Sequence, residues 1–235
     1  MRALAIVHQR DAGPGVFLDA FRAQGIPLDY WMPAEGLPPP TAPGHYDAVL
    51  TLGGAMHADQ EDRHPWLRDE KALLGGLLER GVPVLAVCLG AQLLAEAAGA
   101  PPRRARRPEI GWLDVEVSEE GVADPLFGPL TPRFAAFQWH SYEFPLPDGA
   151  TPLARSEVCL QGYRIGDGTW GIQFHAEVSR ADAQAWIGDL ENDEDAVRAG
   201  VDADLLRRQT LQEIDRWNEL GAALCERFLV AATRA

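Results

Sequence analysis

Cys88 stands in the segment Val87-Cys88-Leu89-Gly90-Ala91-Gln92, after an apolar run and before a run rich in Ala and Leu. This pattern predicts a strand that turns sharply into a helix at the cysteine. Free N–H groups at a helix start favour a negatively charged sulfur. The turn is the cysteine counterpart of a serine nucleophile elbow, and Gly90 is the small residue that relieves it. A thiol nucleophile needs a base, and the base needs an orienting carboxylate. Both are offered by Trp170-Gly171-Ile172-Gln173-Phe174-His175-Ala176-Glu177, where a β-rich run ends at His175. Here Cys88 reads as the nucleophile and His175 as the group that takes and later returns its proton. Glu177 reads as the carboxylate that fixes the imidazole's tautomer. Cys159 and Cys225 stand in no such context and read as core thiols.

Three more segments stand in order before and between these two: Leu52-Gly53-Gly54, Pro108-Glu109-Ile110-Gly111-Trp112 and Gln138-Trp139-His140-Ser141. With C-x-G-x-Q and F-H-x-E they resemble the class I glutamine amidotransferases, above all the glutaminase domain of GMP synthase, over residues 52–177. The resemblance implies hydrolysis of the glutamine side-chain amide through a cysteine thioester, with no cofactor and no metal. It implies backbone oxyanion donors at Gly54 and Leu89. It implies substrate contacts at Gly53, Gln92, Trp139, His140 and Ser141. Such domains feed ammonia to a synthetase, fused or separate. No P-loop pattern is present, so the synthetase is expected to be another chain or to be absent. One rival is a γ-glutamyl hydrolase or peptidase that uses the same Cys-His-Glu set. A more distant rival is a non-catalytic binding protein that keeps the fold.

Composition bounds these readings. The chain has 235 residues, enough for one domain with a substantial core, and one domain over 1–235 is expected. A net charge of −14 disfavours nucleic acid and anionic membrane as partners. The N-terminal apolar run is too short for a signal peptide and reads as a first strand. Three cysteines make no disulfide framework, so a reducing cytoplasm is the expected setting.

The elements that must hold these residues follow from periodicity. Strands are expected over residues 2–8, 27–31, 48–52 and 84–87, and helices over 15–24, 66–81 and 91–98. A proline-rich extended loop is expected over 37–43. This alternation predicts an α/β fold with a doubly wound, mostly parallel, flavodoxin-like sheet. Short strands over 112–117, 134–139, 158–165 and 169–174 predict an antiparallel insertion. A helix over 180–189, an acidic linker over 191–195 and a last helix over about 202–232 complete the chain. The apolar stripe of that last helix reads as core packing, with a homodimer seam as the alternative. His57, Asp59, Glu61, Asp62 and His64 read as a polar loop on the rim of the site. Arg103, Arg104, Arg106 and Arg107 read as a solvated loop, or as a dock for an anionic partner.

Overall fold

Runs such as Ala3–Ile6 and Val84–Val87 are apolar on both sides of the pleat, as strands covered on both faces must be. The structure, a computed structural model, describes residues 1–38 and 45–234. Among these, one sheet holds nine strands: β1 (Ala3–Ile6), β2 (Leu28–Trp31), β3 (Ala48–Thr51), β4 (Val84–Val87), β5 (Arg103–Val117), β6 (Arg133–Glu143), β7 (Thr151–Arg155), β8 (Leu160–Ile165) and β9 (Thr169–Ile172). Their order is β2-β1-β3-β4-β9-β8-β7-β5-β6. Pairing is parallel from β2 through β9 and antiparallel from there to β6. The expected parallel core is therefore present, and the antiparallel part extends the same sheet.

The helices are α1 (Phe17–Ala23), α2 (Trp66–Glu79), α3 (Leu89–Ala97), α4 (Glu119–Ala123), α5 (Arg180–Gly188), α6 (Glu194–Ala199) and α7 (Ala203–Ala232). The sheet separates two apolar layers. Ala3, Ala5 and Val7 pack with Phe17 and Phe21 of α1, Ile187 of α5 and Trp217 of α7. Leu4 and Ile6 point the other way, onto Leu67, Leu74 and Leu77 of α2 and Leu93 of α3. Each such large side chain contributes about 1.5–3 kcal/mol on burial. None of the described helices is long and apolar enough to cross a membrane.

Some boundaries differ from expectation. The arginine run is the start of β5 rather than a loop, and Arg103 and Arg104 pair with Glu143 and Tyr142 of β6. The ladder shifts register between Arg104 and Glu109, which accommodates Pro108. The acidic stretch is not a linker. Leu190–Asn192 is a 3-10 turn, and Asp193 caps α6 by accepting from the amides of Asp195 and Ala196. Periodicity does not predict strand β7, because Pro152 lies within it. Residues 39–43 of the expected proline-rich loop lie outside the described residues.

Candidate active site

β1, β3, β4 and β9 are parallel neighbours, and their carboxyl ends open on one side of the sheet. Ligands of open α/β sheets bind at such ends, beside the point where strand order reverses; here that point lies between β1 and β3. His8 follows β1, Gly53 and Gly54 follow β3, Cys88 follows β4, and His175 follows β9. Gly54, Cys88 and His175 meet at a cleft of about 410 Å³ that Leu89, Gln92 and Trp139 also line, among others, while His8 and Gly53 are not among its lining residues.

Cys88 has φ 50° and ψ −108°, a conformation costly for a residue with a Cβ. Three tethers hold it there. Its amide donates to the Ile172 carbonyl (2.8 Å), the Gly90 amide donates to Leu52 (3.0 Å), and the Gln92 amide donates to the Cys88 carbonyl (3.0 Å). Gly90 is required by contact as well. A Cβ there would lie 2.5 Å from the Thr51 carbonyl oxygen. The elbow expected from the sequence is thus formed, with α3 starting one residue after the thiol.

Cys88 and His175 both line the cleft, and the sulfur is near enough to the ring to raise its pKa. His175 Nδ1 lies 2.7 Å from Glu177 Oε1, and both side chains are almost wholly buried. The edge of the His175 ring meets the Trp186 ring, 4.9 Å between centroids. Burial works against a charge on His175, but the carboxylate of Glu177 and the sulfur of Cys88 outweigh it, and its pKa is pushed up to about 10. A thiol beside an imidazole held by a carboxylate can pass its proton to the ring and attack an electron-poor carbon. Burial raises the Cys159 and Cys225 thiols, with Glu109 and Glu226 adding to it, so both stay neutral.

The glycine loop lies against this set. A Cβ on Gly53 would sit 2.7 Å from His175 Cε1 and 3.7 Å from Cys88 Cβ. Gly54 lines the cleft, and Leu89 is the first residue of α3. The Leu89 amide is therefore one of those that a helix start leaves without an intrahelical acceptor. Of the other expected contacts, Trp139, His140 and Ser141 all line the cleft. The Cys88 thiol donates to the Trp139 carbonyl at 3.9 Å. Gln92 also lines the cleft, but its amide is engaged: Nε2 donates to the Tyr142 carbonyl and to Gln173 Oε1, each at 3.3 Å.

His140, Glu109 and Cys159 bring three metal-capable atoms within 4.8 Å of one another. Glu109 and Cys159 are tied by hydrogen bonds, while His140 Nε2 lies 3.3 Å from Glu109 Oε2 without a hydrogen-bond partner among the described residues. Glu109 Oε2 accepts from Ser156 Oγ (3.0 Å), Gln161 Nε2 (2.9 Å) and the Cys159 thiol (3.4 Å). His140 Nδ1 donates to the Tyr142 carbonyl (2.8 Å).

Residues outside the sequence motifs complete the cleft. Asp193 Oδ2 accepts from the Trp139 indole at 2.7 Å. Arg104 reaches Asp195 at 3.2 Å and lies over the Tyr142 ring. Tyr142 donates to Asp59 and stacks on His57. The Asp at the start of α6 is readable as a helix cap. Its meeting with Trp139 depends on tertiary packing.

A fold with a thiol elbow at β4, an imidazole–carboxylate pair after β9 and a glycine loop after β3 has known counterparts. The class I glutamine amidotransferase model matches residues 31–188. A crystal structure of a glutamine amidotransferase from Thermotoga maritima superposes with a TM-score of 0.85 at 33% identity, covering 97% of this chain and 98% of that one. A glutamine-hydrolyzing GMP synthase subunit from Natronomonas pharaonis is 38% identical over 147 residues, 61% of this chain and 73% of the relative. The γ-glutamyl-L-1-hydroxyisopropylamide hydrolase of a Pseudomonas species is 30% identical over 165 residues, 66% of this chain and 55% of the relative. The motif order, the sheet and these likenesses agree: the chain belongs to the class I glutamine amidotransferase family.

Proposed function

We propose that the chain hydrolyses the side-chain amide of glutamine through Cys88. The observation that carries this is the meeting of Cys88, His175 and Glu177 with the Gly53–Gly54 loop at one cleft. The sulfur attacks the amide carbon as a thiolate paired with the protonated His175 ring. Charge gathers on the amide oxygen, where the Gly54 and Leu89 amides receive it. A donor so placed is worth about 3 kcal/mol of barrier. The tetrahedral adduct collapses, the C–N bond breaks, and His175 returns the proton to the departing ammonia. Water, deprotonated by His175, then cleaves the thioester and releases glutamate. Arg104 and Asp195 at the mouth carry both charge signs, which suits a zwitterionic amino acid. We assign use of the ammonia to a synthetase on a separate chain; the similarity to a protein that is itself one part of a GMP synthase supports this.

A second reading keeps the chemistry and changes the leaving group to a larger amine. The likeness to a hydrolase of a γ-glutamyl alkylamide favours it. Glutamate release from glutamine and from γ-glutamyl alkylamides, with and without candidate synthetase chains, separates the two. The first reading expects slow release from glutamine, faster with a partner. Full turnover alone, with the alkylamide preferred, would establish the second. Release from neither substrate rejects both and leaves a binding protein.

Gly53→Ala gives a sharper check of geometry. The new methyl must displace the His175 ring. Glutamate release should fall about 10²-fold, as expected for a misplacement near 1 Å. Circular dichroism should show the fold retained. Unchanged turnover would mean that Gly53 does not govern the imidazole.

A further inference from the structure

His8 follows β1 and is wholly buried, yet it takes no part in the chemistry above. Its Nδ1 lies 3.0 Å from the Gly53 carbonyl oxygen, and its Nε2 lies 2.7 Å from Glu70 Oε2. Glu70 stands on α2 and is wholly buried too. Its other oxygen accepts from the Thr51 hydroxyl at 2.6 Å. Thr51 closes β3, and its hydroxyl would lie 2.6 Å from a Cβ on Gly90, in the turn that carries Leu89. On the other side, a Cβ on Gly54 would lie 2.9 Å from His8 Cβ and 3.1 Å from Leu89 Cδ2. One carboxylate on α2 thus reaches the Gly53–Gly54 loop through His8, and the Cys88–Gly90 turn through Thr51.

We infer that His8 and Glu70 form a clamp that sets the positions of the two oxyanion amides, those of Gly54 and Leu89. The inference rests on the hydrolytic reading above and names positioning residues for it. The chemistry of the clamp is constrained. A carbonyl only accepts, so Nδ1 must carry a proton for Gly53. Nε2 shares one proton with Glu70, so His8 is bonded at both nitrogens. Burial opposes a charge on the ring, but Glu70 and the carbonyls of Gly53 and Leu52 outweigh it and raise the pKa. The Trp66 ring stacks on the imidazole at 5.3 Å. The pair is held in a low-dielectric setting, where its directionality is strong.

Oxyanion donors act when they sit 2.7–3.1 Å from an oxygen that carries charge only in the transition state. Loosening the clamp should lower kcat and leave KM nearly unchanged. It should also spare alkylation of Cys88 by iodoacetamide, which develops no oxyanion. His8→Gln is the informative variant. Its amide nitrogen can replace Nε2 toward Glu70, while the tie to Gly53 is lost. Glu70→Gln is the conservative control. It can accept from Thr51 and donate to a neutral His8, which still donates to Gly53.

The expected result is a kcat for His8→Gln reduced about 10- to 100-fold, with KM and the alkylation rate within about twofold of wild type. Glu70→Gln should retain most of the turnover. Equal kcat in wild type and His8→Gln would overturn the clamp alone. A parallel loss of turnover and alkylation would overturn it as well, since that is general disorder of the site. Should thermal melts show His8→Gln unfolded, Glu70→Asp, whose shorter arm draws His8 from Gly53, must show the same split. No glutamate from the wild type would remove the hydrolytic reading, and the clamp with it.

Discussion

Cys88→Ser should release essentially no glutamate, a loss of more than about 10³-fold, because no other group can form the thioester. The change is small in volume. The three backbone tethers at Ile172, Leu52 and Cys88 itself do not involve the side chain. Stability should therefore stay within about 1 kcal/mol of wild type. A coupled glutamate assay beside a thermal melt checks both statements. Retention of more than about one per cent of turnover in a folded variant would place the nucleophile elsewhere.

His175→Ala should be nearly as damaging, since nucleophile and base act as a unit. Glu177→Ala should cost about 10- to 100-fold less than His175→Ala, because the carboxylate orients the ring and does not react. A larger loss for Glu177→Ala would invert the assigned roles. The same pair makes stability depend on pH. Burial alone would hold the His175 pKa down, yet Glu177 and Cys88 bring it to about 10 from 6.5. Between those values the folded chain keeps a proton that the unfolded chain has lost. The stabilisation is fully present below pH 6.5 and is lost as pH rises toward about 10. The melting temperature of wild type should fall through this window relative to that of His175→Ala. A constant difference would mean that the buried imidazole is neutral.

What the sequence reveals has a physical boundary. Strand β4 is legible to the residue, because Pro83 ends one element and the Cys88 turn opens the next. The core of α2 is legible from its leucine spacing. Strand β7 is not, since Pro152 removes a ladder donor and reads as a break. The start of β5 is not, since a run of arginines between Pro102 and Pro108 looks like exposed loop. In the structure Arg103 finds Glu143 on β6, and Arg106 and Arg107 find Glu157 in the turn between β7 and β8. The same limit applies at the site. Cys88, His175, Glu177 and the glycine loop announce themselves through local motifs. His8, Glu70, Arg104 and Trp186 do not, because each matters only through a partner that sheet order brings to it.

The order of the sheet also fixes when catalytic capacity can exist. Strand β9 enters the middle of the sheet, between β4 and β8, and it pairs with β4 across all the chain that builds the antiparallel part. Such non-local pairing loses chain entropy early and is repaid late, so it slows folding. A ribosome-bound chain that has emerged only to Gly168 can hold the β1–β4 layer, but Cys88 would lack both its imidazole and its Ile172 tether. The thiol is then an ordinary cysteine on a partial domain. The set proposed for catalysis thus comes together only when β9 is in place, which makes that set a reporter of a completed sheet.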